Sequence, residues 1–147
     1  SRPVTFQGPN STMNQNINAY RQNSAMGAEE ASPHRLVAML YQGAIDRMSR
    51  AIGHCERGEV AEKGECLSRA AAIVDNLRDS LNMDAGDGSL SQRLDDLYEY
   101  MIRRITESNF RNDTAMMKEV HDLLVQLAEG WNAIPAEQRE TPDARPA

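Results

Sequence analysis

The chain has 147 residues, of which 40% are hydrophobic and 26% charged, with a formal net charge of −6. That length suits one domain, and the acidic balance argues against a dedicated nucleic-acid binder, which needs a basic face to neutralise phosphates. No apolar run approaches the roughly 18 residues of a membrane span, and no basic-then-apolar leader opens the sequence. The expectation is a cytoplasmic protein with no direct membrane insertion.

Residues 1–12, SRPVTFQGPNST, read as a tag remnant, because TFQGP resembles the scar of a protease-cleavable tag and Met13 is a suitable native start. Residues 13–31 are polar apart from Ile17, Ala19, Tyr20 and Met26, and form either a short helix or an arm lying on the rest. Ile17 and Tyr20 are three apart and share one face if this segment is helical.

The first long helix is predicted from Pro33 to Arg57. Ser32 is placed to cap it and proline suits the first helical position. Val37, Tyr41, Ile45, Met48, Ile52 and Cys55 recur at steps of four and three, with Leu36 and Leu40 widening the stripe. Gly43 interrupts the middle of this helix at a cost of roughly 1 kcal/mol relative to alanine. With Ala44 it thins the surface, either for a partner or for a neighbouring helix.

The second helix is predicted from Val60 to Asn82, with Leu67, Ala70, Ile73, Val74, Leu77 and Leu81 as its stripe. The short link makes it an antiparallel neighbour of the first. Asp84 to Gly88, DAGDG, reads as a turn. It lacks the alternating acidic ligands and distal glutamate of a calcium loop. A capping box of Ser89 and Gln92 is expected to start the third helix. Its stripe is Leu90, Leu94, Leu97, Met101 and Ile105, with Tyr98 and Ile102 beside it, and its end is expected near Asn109. Asn112 or Asp113 caps a fourth helix from Thr114 to Asn132, built on Met116 or Met117, Val120, Leu124, Leu127 and Trp131. The tail 135–147 is proline-rich and charged, and is expected to be mobile. The fold class is therefore all-α, an antiparallel four-helix bundle over 32–134 with a short N-terminal helix or arm.

Residues suited to chemistry are sparse. His34, His54 and His121 have no metal-ligand spacing, and His34 in a first turn reads as a solvated surface residue. Cys55 follows His54, but adjacent helical residues diverge, so they make no nucleophile–base pair. Cys55 and Cys66 are too few for a disulfide framework and read as reduced structural thiols. A phosphotransfer bundle would need an exposed mid-helix histidine, and only His121 fits by position. Neither enzyme nor cofactor is expected. Asp95, Asp96 and Glu99, with Glu29 and Glu30, read as a solvated acidic face that Arg103 and Arg104 can pair with. Of the eight methionines, Met39, Met48, Met101, Met116 and Met117 are expected mostly in the core, with one or two at a groove.

Two tyrosine motifs carry a resemblance. SPHRLVAMLYQGAIDRM spans Ser32 to Met48, with Leu40, Tyr41, Gly43, Ala44 and Ile45 at its centre. LDDLYEYMIRRITESN spans Leu94 to Asn109, with Leu97, Tyr98, Tyr100, Met101, Arg103 and Arg104. Asn18-Ala19-Tyr20 precedes them and Trp131 follows. In this order the motifs resemble the FliS family of flagellar secretion chaperones, over about Met13 to Ile134.

The resemblance implies an antiparallel bundle that binds the C-terminal region of flagellin, prevents its premature polymerisation and delivers it to the export gate of the flagellar type III secretion apparatus. It implies no cofactor and no reaction. A regulatory or phosphotransfer bundle is the alternative. The groove or its N-terminal plug is expected among Ile17, Tyr20, Leu40, Tyr41, Gly43, Ala44, Leu97, Tyr98, Tyr100, Met101 and Ile105. Whether Ile17 and Tyr20 plug the groove or merely dock, and whether the free protein is a homodimer, stay open. Tyr98 and Tyr100 lie about 200° apart on a helical wheel, so at least one tyrosine should reach the surface.

Overall fold

The computed structural model describes residues 32–138. Residues 1–31 and 139–147, which include the supposed tag remnant, the arm with Ile17 and Tyr20 and most of the tail, lie outside the described residues. Four helices follow one another: α1 (Pro33–Glu56), α2 (Val60–Asp79), α3 (Ser89–Arg111) and α4 (Thr114–Asn132). A 3-10 turn, Ala136–Gln138, comes after α4. No strand occurs among the described residues.

Each helix packs on its sequence neighbour, and α4 returns to α1, which closes a four-membered ring. The α3–α4 pairing is the sparsest of the four. The links Arg57–Glu59 and Asn112–Asp113 are too short for anything but antiparallel neighbours.

The caps follow local chemistry. The Ser32 hydroxyl accepts from the Arg35 N–H at 3.1 Å, and Pro33 sits where its missing N–H costs nothing. The Asp113 carboxylate accepts from the Met116 N–H at 3.1 Å. Two expectations need correction at the α2–α3 link. Helix α2 stops at Asp79 rather than Asn82, where the Ser80 hydroxyl turns back to the Leu77 carbonyl at 2.8 Å and competes with another helical turn. The capping box does not form. Gly88 is the cap, in the left-handed region at φ 81°, and Ser89 is already helical. The Asp87 carboxylate takes the Ser89 N–H at 2.9 Å, while the Gln92 amide reaches Asp96 instead. A Cβ at position 88 would stand 3.0 Å from the Met83 carbonyl oxygen, so this turn requires glycine.

Met48, Leu67, Ala70, Val74, Met101, Met117, Val120 and Leu124 form the fully buried centre. Met116 is half-buried and Met39 exposed. Leu90 is 67% exposed, a correction to its place in the core stripe: it lies in the first turn of α3, beyond the reach of the packed layers. Helix α3 continues to Arg111 and ends on Asn112, whose φ of 53° is left-handed. The buried Lys63 secures that end. Its ammonium donates to the Asn109 carbonyl at 3.0 Å and to the Asn112 side-chain oxygen, a cation placed at a helix C-terminus.

Candidate protein-binding seams

The motif residues divide by depth. Tyr41, Ala44, Tyr98, Met101 and Ile105 are buried. Leu40, Gly43, Leu97 and Tyr100 are half-buried. The two tyrosine motifs meet in the interior, where the Tyr41 and Tyr98 hydroxyls are 2.5 Å apart across the bundle. Burial pushes both phenols above their ordinary value of 10.0, and for Tyr98 the nearby Tyr41 adds to the effect. Tyr100, two residues further along α3, is the tyrosine that reaches the surface.

The exposed parts of the motifs do not share one groove. A Cβ at Gly43 would lie 3.5 Å from Ile73 Cδ1, so Gly43 faces α2. Leu40, three residues earlier, shares that side of α1. That separation is ordinary van der Waals contact, so α2 does not demand a glycine there. Tyr100 faces α4 instead: its hydroxyl donates to Glu119 Oε2 at 2.6 Å. The Arg104 guanidinium binds the other oxygen of the same carboxylate, at 2.8 Å through Nε and 2.7 Å through its terminal nitrogen. The Tyr100 bond holds the Glu119 carboxyl below its usual range, with Arg104 adding to it and desolvation opposing. The same bond raises the Tyr100 phenol. The Arg103 and Arg104 guanidinium carbons each lie 5.8 Å from the Tyr100 ring centroid. Arg104 therefore pairs with α4 rather than with the acidic face on its own helix. Asp95 of that face is taken by Arg78 of α2 at 2.9 Å.

This polar strap crosses the loosest seam. Beyond it, on the same side of α4, the spacing of four places Leu123 and Leu127 after Glu119. On α3, Leu90, Leu94 and Leu97 precede Tyr100 and Arg104 at steps of four and three. Leu94, Leu97, Leu123 and Leu127 are all half-buried against the core. These four half-buried leucines line the sparsely packed α3–α4 seam as an apolar strip, called the leucine trough below, with Tyr100, Arg104 and Glu119 at one end of it. Sequence reasoning missed Leu123 and Glu119, although Glu119, Leu123 and Leu127 repeat every four residues.

The far end of the ring is held by His34, which is not the solvated residue expected. Its ring stacks on Trp131 with centroids 4.6 Å apart and planes 13° from parallel. Its Nε2–H donates to the Trp131 carbonyl at 3.0 Å, and the Trp131 indole N–H donates to the His34 carbonyl at 2.9 Å. His121 is half-buried beside Asp122 at 3.0 Å. Cys55 and Cys66 are free thiols, half-buried and buried. No group of three or more potential metal ligands converges among the described residues. No described helix is long and apolar enough to cross a membrane.

The fold class is an antiparallel all-α helical bundle, closed as a ring whose sparsest contact is the leucine-lined α3–α4 seam. Comparison with known proteins gives the family. The model of the flagellar protein FliS matches residues 13–138. The flagellar secretion chaperone FliS of Salmonella typhimurium is 44% identical over 120 residues, 80% of this chain and 88% of that protein. The flagellar secretion chaperone FliSB of Pseudomonas aeruginosa is 43% identical over 105 residues, covering 71% and 82% respectively. The FliS of Bacillus subtilis is 32% identical over 123 residues, 83% and 88%. The chain belongs to the FliS family.

Proposed function

We propose that this protein is a cytoplasmic export chaperone that binds the C-terminal region of flagellin, prevents its premature polymerisation and delivers it to the flagellar export gate. Family membership supports the chaperone role. The observation that carries the binding mode is the leucine trough between α3 and α4. An amphipathic client helix lays its apolar stripe on Leu94, Leu97, Leu123 and Leu127. Tyr100 borders the strap end, while Tyr98, Met101 and Ile105 lie buried in the core behind the motif. Leu40 and Gly43, backed by Tyr41 and Ala44, offer a second contact along α1 and α2, so an extended client can wrap the bundle. Ordering such a client costs several kcal/mol of the gross interaction, which keeps the complex releasable at the gate. Ile17 and Tyr20 act as a plug that the client displaces.

Calorimetric titration of the full chain with the C-terminal flagellin region tests this reading. A 1:1 complex is expected, weakened at least about tenfold by Leu97→Glu or Leu123→Glu, since a carboxylate would be desolvated in the trough. The double variant Ile17→Ala/Tyr20→Ala should bind more tightly if the arm is a plug, because an intramolecular competitor is removed. Weaker binding by that variant would make the arm part of the contact surface. No complex with the unaltered chain would overturn the function itself.

A further inference from the structure

Helix α3 carries a second surface, which meets the strap at Tyr100 and Arg104 and the edge of the core at Ile102. Phe110 is 87% exposed, the most exposed large apolar side chain among the described residues. Ile102, Thr106 and Phe110 form one row at steps of four, and Arg103, Glu107 and Arg111 form the next row beside it. These six, with Tyr100 and Arg104, line a shallow depression of about 720 Å³. Among the described residues Arg111 is held by Glu107 of its own helix, an exposed pair at 2.6 Å. Arg103 has no carboxylate partner among the described residues and leans on the Tyr100 ring. The face is therefore basic, on a chain whose net charge is −6.

We propose that this face of α3 docks an acidic amphipathic helix of a partner protein other than the client in the trough. An apolar residue of that helix covers Phe110 and Ile102, while flanking carboxylates take Arg103 and exchange with Glu107 for Arg111. Charge complementarity selects this occupant: a basic helix would meet two arginines and a neutral one would leave Arg103 unpaired. The eight-residue step from Ile102 to Phe110 rises about 12 Å, two to three turns of a crossing helix. An exposed aromatic flanked by arginines is the side-chain combination that concentrates binding energy at protein interfaces.

The test uses the full-length protein and a fluorescein-labelled synthetic helix of about 18 residues, or five turns, with leucines on one face and glutamates beside them. Matched peptides carry lysine or glutamine in place of glutamate. Anisotropy should show binding of the glutamate peptide that weakens with added salt, little binding of the glutamine peptide and none of the lysine peptide. Phe110→Ala and Arg103→Glu should each weaken binding about tenfold. Phe110 is solvent-facing, so Phe110→Ala should leave the melting curve and the titration with flagellin unchanged, which separates this proposal from the trough. Equal binding of the glutamate and lysine peptides, indifference to Phe110→Ala, or no binding would overturn it. Concentration-dependent dimerisation abolished by Phe110→Ala, without peptide binding, would overturn it in favour of a second copy of this chain.

Discussion

His34 and Trp131, 97 residues apart in sequence, clasp each other by a stacked ring contact and two reciprocal hydrogen bonds to main-chain carbonyls. The clasp ties the first turn of α1 to the last turn of α4 and so closes the ring of helices. The Trp131 carbonyl, in the last turn of α4, accepts the Ile134 N–H at 3.3 Å and takes the imidazole N–H as a further donor at 3.0 Å. Replacing His34 by alanine should cost about 1–2 kcal/mol through the lost stack and the lost bond. Denaturant unfolding followed by circular dichroism measures the cost. The emission of Trp131, the only tryptophan, should shift to the red in the same variant as its ring becomes wetter.

The Tyr41–Tyr98 pair makes a sharper prediction, because its two hydroxyls serve each other in the interior. Phenylalanine at one position strands a buried hydroxyl at the other and should cost about 1–3 kcal/mol. The double variant Tyr41→Phe/Tyr98→Phe removes both polar groups and should cost less than the sum of the single changes. A double-mutant cycle by chemical denaturation would show this as a non-additive term. The pair also sets an alkaline limit. Both phenols are raised in the folded state, so their contribution is complete below the unfolded value of about 10 and is lost as pH rises from there toward the folded values.

Glu119 predicts the opposite pH dependence. Its folded pKa is lowered, chiefly by the Tyr100 hydroxyl. The stabilisation it gives is therefore present above the unfolded glutamate value of about 4.3 and fades as pH falls through the lower folded value. Glu119→Gln should abolish this acid-side dependence and cost less than about 1 kcal/mol at neutral pH, since the strap is partly solvated. Urea midpoints of both proteins from neutral pH into the acid range would show the difference.

Gly43→Ala should stabilise the fold by about 0.5–1 kcal/mol. The added methyl meets Ile73 at an ordinary contact distance and a helical glycine's conformational freedom is removed. Thermal unfolding would register the gain. A loss of stability would mean that α2 sits closer than 3.5 Å permits.

Helix number, approximate bounds and the inward stripes were legible in the sequence, as was the Ser32 cap, whereas the choice of Asp113 over Asn112 as the cap of α4 came from the structure. These depend on spacing within one turn or on the nearest backbone N–H groups, and α1 and α4 accordingly fall within a residue of expectation. The failures arose where several elements decide together. The start of α3 followed the left-handed Gly88 turn, which carries Asp87 over the helix end, rather than the Ser89–Gln92 pattern. Leu90 fits the periodicity yet stands outside the packed layers. His34 looked like a lone polar residue until α4 brought Trp131 against it. The two tyrosine motifs also proved to be core and surface at once. Tyr41 and Tyr98 meet inside, whereas Gly43 and Tyr100 look out along different seams. An apolar stripe more than 100° wide faces the core and two neighbouring helices together. The sequence by itself therefore determined which residues turn inward, and only the packing of whole helices against one another decided that α3 and α4 make the sparsest contact of the ring.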